Sequence, residues 1–284
     1  MGIPMQVEKQ RGGNPAERPL VTLDNNVVVA YRNNDPNDAL VQLARQLRAL
    51  NRAGVITLNV TLSTALEEQR PDAELTMHEY ATWLQEQGID RCNIFTSSRT
   101  IGFRVPSTDP NTITFDFQLE RALNERIHRI LFPKTPFSWF EYRNQECTRQ
   151  NIVGIKRDAL IELDARDFYF QSSPQAPEQM LTPALDALEQ TEREEMHMLL
   201  KRLRRRWMNA KNDALGLYGH ITNAVHTIYP DRAVFVTNDN NFFKQTKVAG
   251  LRELNIPGRI LRPADAVVFL CSITGVSLAD ITVE

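Results

Sequence analysis

Leu20-Val21-Thr22-Leu23-Asp24 and Val55-Ile56-Thr57-Leu58-Asn59-Val60 are two short, almost continuous apolar runs. A strand with apolar residues on both sides of its pleat belongs inside a parallel sheet. Between the two runs, residues 37–53 place Leu40, Leu43, Leu47 and Leu50 on one helical face and Arg45, Arg48 and Arg52 on another. That spacing predicts an amphipathic helix, with Asn37 or Asp38 to cap its start and Gly54 to suit its end. A further helix begins near Ser63 and carries Glu67 and Glu68. Strand, helix, strand and helix in this rhythm build right-handed βαβ units, so the class is α/β with a mostly parallel sheet.

The rhythm lapses over residues 71–182. Arg91–Phe95 and Thr112–Phe117 read as strands, and Gln118–Leu131 as a helix. This stretch holds nine of the thirteen phenylalanines, with Trp83 and Trp139. So large an apolar content predicts a folded α+β insertion with a core of its own. From Thr182-Pro183 the helical pattern returns, with a break expected near Asn209–Asn212. The helix is expected to resume as Asp213–Ile228, with Ala214, Leu217, Ile221, Val225 and Ile228 as its buried stripe. Val234–Val236 and Ile260-Leu261 follow as strands, and Pro263 opens a last helix through Leu270. Residues 1–18 read as a flexible tail, 19–70 and 183–284 as the two halves of the main domain, and 71–182 as its insertion.

Composition narrows the functional classes. The chain has 284 residues, of which 42% are apolar and 24% charged, as in an ordinary globular protein. Three cysteines without C-x-x-C spacing argue against a disulfide framework and a structural zinc site. No run is long enough to span a membrane and no apolar signal core opens the chain, so a cytoplasmic setting with no membrane partner is the expectation. A net charge of −2 gives no global case for nucleic-acid binding. Locally, Lys201, Arg202, Arg204, Arg205 and Arg206 form the densest basic cluster, with Lys211 beyond it. Glu189, Glu192, Glu194 and Glu195 precede the cluster, a pattern that also suits a plain solvated helix. The functional reading is contact with phosphates.

Asp24 ends the first apolar run and Asp239 ends Ala233-Val234-Phe235-Val236-Thr237-Asn238-Asp239. Carboxylates at the C-terminal ends of neighbouring parallel strands converge on one crevice. With Glu67 or Glu68 and with Asp213, they would repel one another unless a hard cation, Mg²⁺ or Mn²⁺, lay between them. Taken singly, each acid has an ordinary reading as a turn, cap or surface residue.

Three segments carry a resemblance. Thr22-Leu23-Asp24-Asn25-Asn26-Val27-Val28, Phe235-Val236-Thr237-Asn238-Asp239-Asn240-Asn241-Phe242 and the closing residues 254–266 resemble the PIN domain, a metal-dependent nuclease fold related to the flap endonucleases. The likeness spans roughly residues 19–69 and 183–284. It implies a three-layer α/β/α domain and two-metal hydrolysis of a phosphodiester. By the resemblance, Asp24 and Asp239 take the first and last ligand roles, and Asp213 that of the acid at the helix before the last strand. Glu67 is favoured over Glu68 as the remaining acid, and Asn241 stands where members carry a further Asp or Asn. Asn25, Thr237 and Asn238 would support the ligands or orient waters.

RNA is expected ahead of DNA as the substrate, with structure-specific DNA cleavage and a non-catalytic PIN-like module as alternatives. The effector of a toxin–antitoxin or phage-defence system is a further possibility, as is a protein partner or a homo-oligomer. A haloacid-dehalogenase-like phosphatase fits less well, because Asn26 stands where its second acid would be. Two departures from compact members stand out: a longer Asp213–Asp239 interval and the large insertion.

Overall fold

Strands of three or four residues with every side chain buried can exist only in the middle of a sheet, and two of the strands here have that character. β1 is Leu20–Leu23 and β4 is Val234–Val236, both fully buried. They are flanked by β2 (Thr57–Val60), β3 (Arg91–Cys92) and β5 (Arg259–Leu261), in the order β3-β2-β1-β4-β5 with parallel pairing throughout. The computed structural model describes residues 17–32, 35, 37–61, 64, 82, 86, 91–92, 117–172, 183–225 and 227–281. Winding proceeds outward from β1 through β2 to β3 on one side and through β4 to β5 on the other. The reversal between β1 and β4 is the topological switch point, where open α/β sheets leave a crevice at their carboxyl ends.

The chain divides into two compact units, residues 1–131 with 212–284 and residues 132–211. In the first, the period-two alternation of the strands sorts side chains to two faces. Val21, Leu23, Leu58, Val60, Val234 and Val236 belong to one cluster. Helices α1 (Asn25–Arg32), α2 (Ala39–Arg52) and, numbered last in chain order, α9 (Pro263–Thr274) cover that face with Val27, Val28, Val41, Leu47, Leu50, Val267 and Leu270. Each such Val or Leu contributes roughly 1.5–3 kcal/mol by leaving water. Asp38 caps α2 by accepting from the Leu40 N–H at 2.8 Å, a contact worth about 1 kcal/mol. On the opposite face Thr22 and Phe235 meet His220, and Leu20 and Ala233 meet Ala224. His220 and Ala224 lie on α7, which spans Gln190–Ala224. Helices on both faces of a parallel sheet make this unit α/β. Among the described residues no helix is long and apolar enough to cross a membrane.

β5 joins the sheet at a tight turn. Gly258 has φ +77°, and a Cβ there would lie 2.1 Å from the Ala233 carbonyl oxygen. Only glycine accommodates both the dihedral and the approach. The Arg259 N–H then donates to that same Ala233 oxygen at 2.9 Å.

The regular elements described in the second unit are all helices: α4 (Trp139–Arg149), α5 (Ile155–Ser172), α6 (Pro183–Asp186) and the first part of α7. Tyr142, Cys147, Leu160, Leu185, Leu199, Leu200 and Leu203 form its core. Asp164, 4% exposed, accepts from Trp139 Nε1 at 2.8–2.9 Å, from Arg143, and from Arg204 Nε and Nη2 at 3.1 and 2.6 Å.

Several expectations meet a different structure. The predicted break at 209–212 is absent, because α7 continues through it. Asparagine costs a helix little, and Asn212 is itself buried within α7. The helix ends at Ala224 and not Ile228, and Val225 and Ile228 are 53% and 51% exposed. Exposed as they are, Val225 and Ile228 have no packing to hold a further turn, and Tyr229-Pro230 bars any longer extension, since the residue before proline avoids the helical region. Helix α3 spans Phe117–Leu131, so Phe117 is helical where a strand end was expected. Arg91–Cys92 pairs with β2, and so belongs to the main sheet and not to a sheet of the insertion. Composition placed the insertion at 71–182, whereas the compact second unit is 132–211.

Candidate active site

Asp24 is the hinge between β1 and α1. Its backbone N–H continues the sheet to the Val236 oxygen at 2.9 Å, and its carbonyl accepts from the Val27 and Val28 N–H groups, opening the helix. Its carboxylate, 9% exposed, is ringed by donors. Asn25 N–H donates to Oδ1 at 2.9 Å, while Thr237 Oγ1 and Asn26 Nδ2 donate to Oδ2 at 2.6 and 2.7 Å. Burial nonetheless pushes its pKa above the ordinary carboxylate value, the three hydrogen bonds oppose that shift, and the charge of Asp239 adds to it.

Asp239 follows β4 across the switch point and caps the 3₁₀ turn Asn240–Phe243. Its Oδ1 accepts from the Asn241 N–H at 2.8 Å and its Oδ2 from Asn241 Nδ2 at 3.2 Å. The two acids are coupled through Thr237, which also accepts from the Asp239 N–H at 3.0 Å. A second bridge runs from the Asn238 N–H to Asn26 Oδ1 at 3.0 Å. Asn25, Thr237 and Asn238 therefore all lie in the hydrogen-bond frame of the acids.

Asp213 is half-buried on α7, and both Asp213 and Asp239 act electrostatically on the ammonium of Lys247. Lys247 lies on α8, which spans Gln245–Arg252. Its Nζ donates to the Leu131 oxygen and to Asn241 Oδ1 at 3.3 Å. Burial lowers its pKa most, followed by the neighbouring Lys244, and the two aspartates oppose the shift. Lys244 Nζ reaches the same Asn241 Oδ1 at 3.1 Å. The amide oxygen of Asn241 that could meet a cation thus accepts from two lysines. Glu67 and Glu68 lie outside the described residues. Among the described residues no three His, Cys, Asp or Glu side chains gather closely enough to hold an ion.

Beneath the acids lies a buried polar layer. His220 Nδ1 is 2.9 Å from Thr22 Oγ1, and Asn59 Nδ2 donates to that oxygen at 3.4 Å. His220 Nε2 has no hydrogen-bond partner, and burial drops the imidazole pKa to about 3, so the ring is neutral. A Cβ at Gly219 would lie 2.9 Å from Thr61 Cγ2, so the absent side chain lets α7 settle close to the chain leaving β2.

The basic cluster belongs to the second unit. Lys201, Arg202, Arg205 and Arg206 are exposed, and their i, i+4 spacing puts them on one side of α7. Arg204 is directed elsewhere, into Asp164 and Asp167. Lys211 Nζ sits 3.1 Å from the centroid of the Phe137 ring, a cation–π contact.

Sequence reasoning missed Asn26, Lys244 and Lys247 as parts of the site. The available signal was modest: Lys244 and Lys247 are three residues apart at the start of a helix, hence neighbours on its surface.

As a donor set the acids suit a hard divalent cation. Mg²⁺ is commonly held by one or two carboxylates and keeps several waters, and a desolvated carboxylate beside a second one gains most from such an ion. Asp24 and Asp239 provide that pair. No protein-family model, no curated protein and no solved structure matches this chain.

Proposed function

We propose that the chain is a Mg²⁺- or Mn²⁺-dependent endonuclease on a PIN-like domain, acting on RNA ahead of DNA in a cytoplasmic setting. The observation that carries the reading is the pairing of Asp24 with Asp239 at the switch point of a parallel sheet. Asp24 and Asp239 would hold the cation, and Asp213, which acts with Asp239 on the Lys247 ammonium, would bear on the site from α7 without joining that pair directly. Bound divalent ions supply Lewis acidity for phosphodiester hydrolysis, activating water and stabilising the leaving oxygen. Thr237, Asn26 and the Asn25 N–H keep the buried Asp24 oriented, and their hydrogen bonds favour its charged form against the effect of burial. Thr237 fixes Asp239 relative to it. Lys201, Arg202, Arg205 and Arg206 are the proposed backbone contacts, a role that makes binding fall steeply with salt.

Incubating the purified protein with labelled single-stranded RNA in Mn²⁺ or in EDTA tests the reading. The expected result is cleavage in Mn²⁺ alone, reduced to background by Asp24→Asn and by Asp239→Asn. Asp239→Asn should keep the wild-type melting temperature more closely, because three donors and no acceptor surround Asp24. Cleavage in EDTA, or none on RNA and flap DNA alike, overturns the proposal. Preference for flap DNA moves the substrate from RNA to DNA.

A further inference from the structure

The turn after Asp239 gathers cations on neutral groups. Lys244 and Lys247 both donate to the single Asn241 amide oxygen, at 3.1 and 3.3 Å. Arg262 donates from Nη2 to Asn240 Oδ1 at 2.6 Å, with its guanidinium 4.4 Å from the Phe243 ring centroid. Three positive side chains are thereby fastened to two adjacent amides, immediately beyond a proposed metal ligand.

Amides orient such groups without neutralising them. Among the described residues, neither Lys244 nor Arg262 forms an ion pair with a carboxylate. Two ammonium ions on one oxygen repel each other; Asp213 and Asp239 ease that at Lys247, and an added anion would ease it further. The guanidinium, placed over a ring and using one of its five N–H donors for Asn240, keeps further donors that a phosphate could accept from. Asn241 also donates to Asp239 Oδ2 at 3.2 Å, so the anion site and the acid share one side chain.

Resting on the nuclease reading, we infer that Lys244, Lys247 and Arg262 form a phosphodiester-binding collar. It would grip a backbone phosphate of the substrate strand next to the one positioned at Asp24 and Asp239. Lys247 also fastens the C-terminal carbonyl of α3, so Lys244 and Arg262 are the residues to vary.

The test is fluorescence anisotropy of a labelled oligouridylate with the full chain in EDTA, over a range of salt. Lys244→Gln with Arg262→Gln should weaken binding on the order of tenfold or more. The salt slope should flatten by about 1.4, the value for two contacts on a single strand. Should that double variant fail to fold, Lys244→Glu at an exposed position carries the test, with a larger loss expected. An oligodeoxythymidylate should show the same sensitivity. Unchanged affinity and slope in the variants, or no binding by the wild type, overturns the collar. Displacement of the oligomer by inorganic phosphate at equal concentration also overturns it, because a strand contact must outcompete a free ion. A protein that binds with the expected sensitivity but never cleaves in Mn²⁺ sinks the nuclease reading and leaves the collar standing. Cleavage with an unaltered KM in the double variant sinks the collar alone.

Discussion

Thr237 has one hydroxyl and makes three hydrogen bonds with it. It donates to Asp24 Oδ2 and accepts from the Asp239 N–H and from Asn26 Nδ2, at 2.6, 3.0 and 3.3 Å. That is the full capacity of the group, one proton and two lone pairs. Valine in its place keeps the shape and leaves two donors and a buried carboxylate oxygen short of a partner. Thr237→Val should therefore lower unfolding free energy by about 1–3 kcal/mol in urea titration, whereas Thr237→Ser should stay near wild type. An unchanged midpoint in the valine variant would show that the hydroxyl does not hold the acids. At this scale the sequence was partly legible. Asp24 and Asp239 each end an apolar run, and the ends of parallel strands meet in space. Lys244 and Lys247 gave no comparable sign, because lysines on a short surface helix are common. Their convergence depends on a 3₁₀ turn that leaves no periodic trace.

Among the elements, helix α1 was the hardest to read. Val27-Val28-Val29 is a run of β-branched residues, which disfavours a helix by propensity. Packing overrides that preference, since Val27 and Val28 are fully buried against the sheet and Asp24 opens the helix. α7 was misread in the other direction, through asparagines that cost a helix interior little. α4, α5 and α7 meet at Asp164, which faces Arg143, Arg204 and Trp139. Removing one partner of a buried pair strands the other charge. Arg143, whose side chain is 9% exposed, would be left so by Asp164→Ala, at about 3–5 kcal/mol. Denaturation of residues 132–211 followed by tryptophan fluorescence should show the loss, and an unshifted transition would make the cluster incidental.

Across the whole molecule, the neutral His220 ties stability to pH. Its folded pKa is about 3 against an ordinary 6.5, so between those values the unfolded chain holds one more proton. Stability therefore rises with pH across that window and falls on acidification, by about 1.4 kcal/mol per pH unit from this group. Asp24 works in the opposite sense, because its pKa is raised on folding and its share of stability is lost as pH climbs above the ordinary carboxylate value. The comparison of wild type with His220→Leu isolates the histidine: between pH 4 and 6 the wild type should gain stability with rising pH relative to the leucine variant, by about 1.4 kcal/mol per pH unit. Equal slopes would mean that the ring is protonated in the fold. The sheet itself was legible from β1 and β2, whose nearly continuous apolar runs call for cover on both faces. The division at 131/132 and 211/212 was not, since aromatic content marks a core without marking its edges.

The bare hydrogen of Gly258 reaches further than its position on the outermost strand suggests. It lets β5 lie in register with β4, and so sets the Leu261 carbonyl that receives the Thr237 N–H at 3.1 Å. Thr237 in turn aims its hydroxyl at Asp24. A methyl group at residue 258 would touch no acid, yet it would act as a remote lever on their alignment, passed along the backbone from the rim of the sheet to its centre.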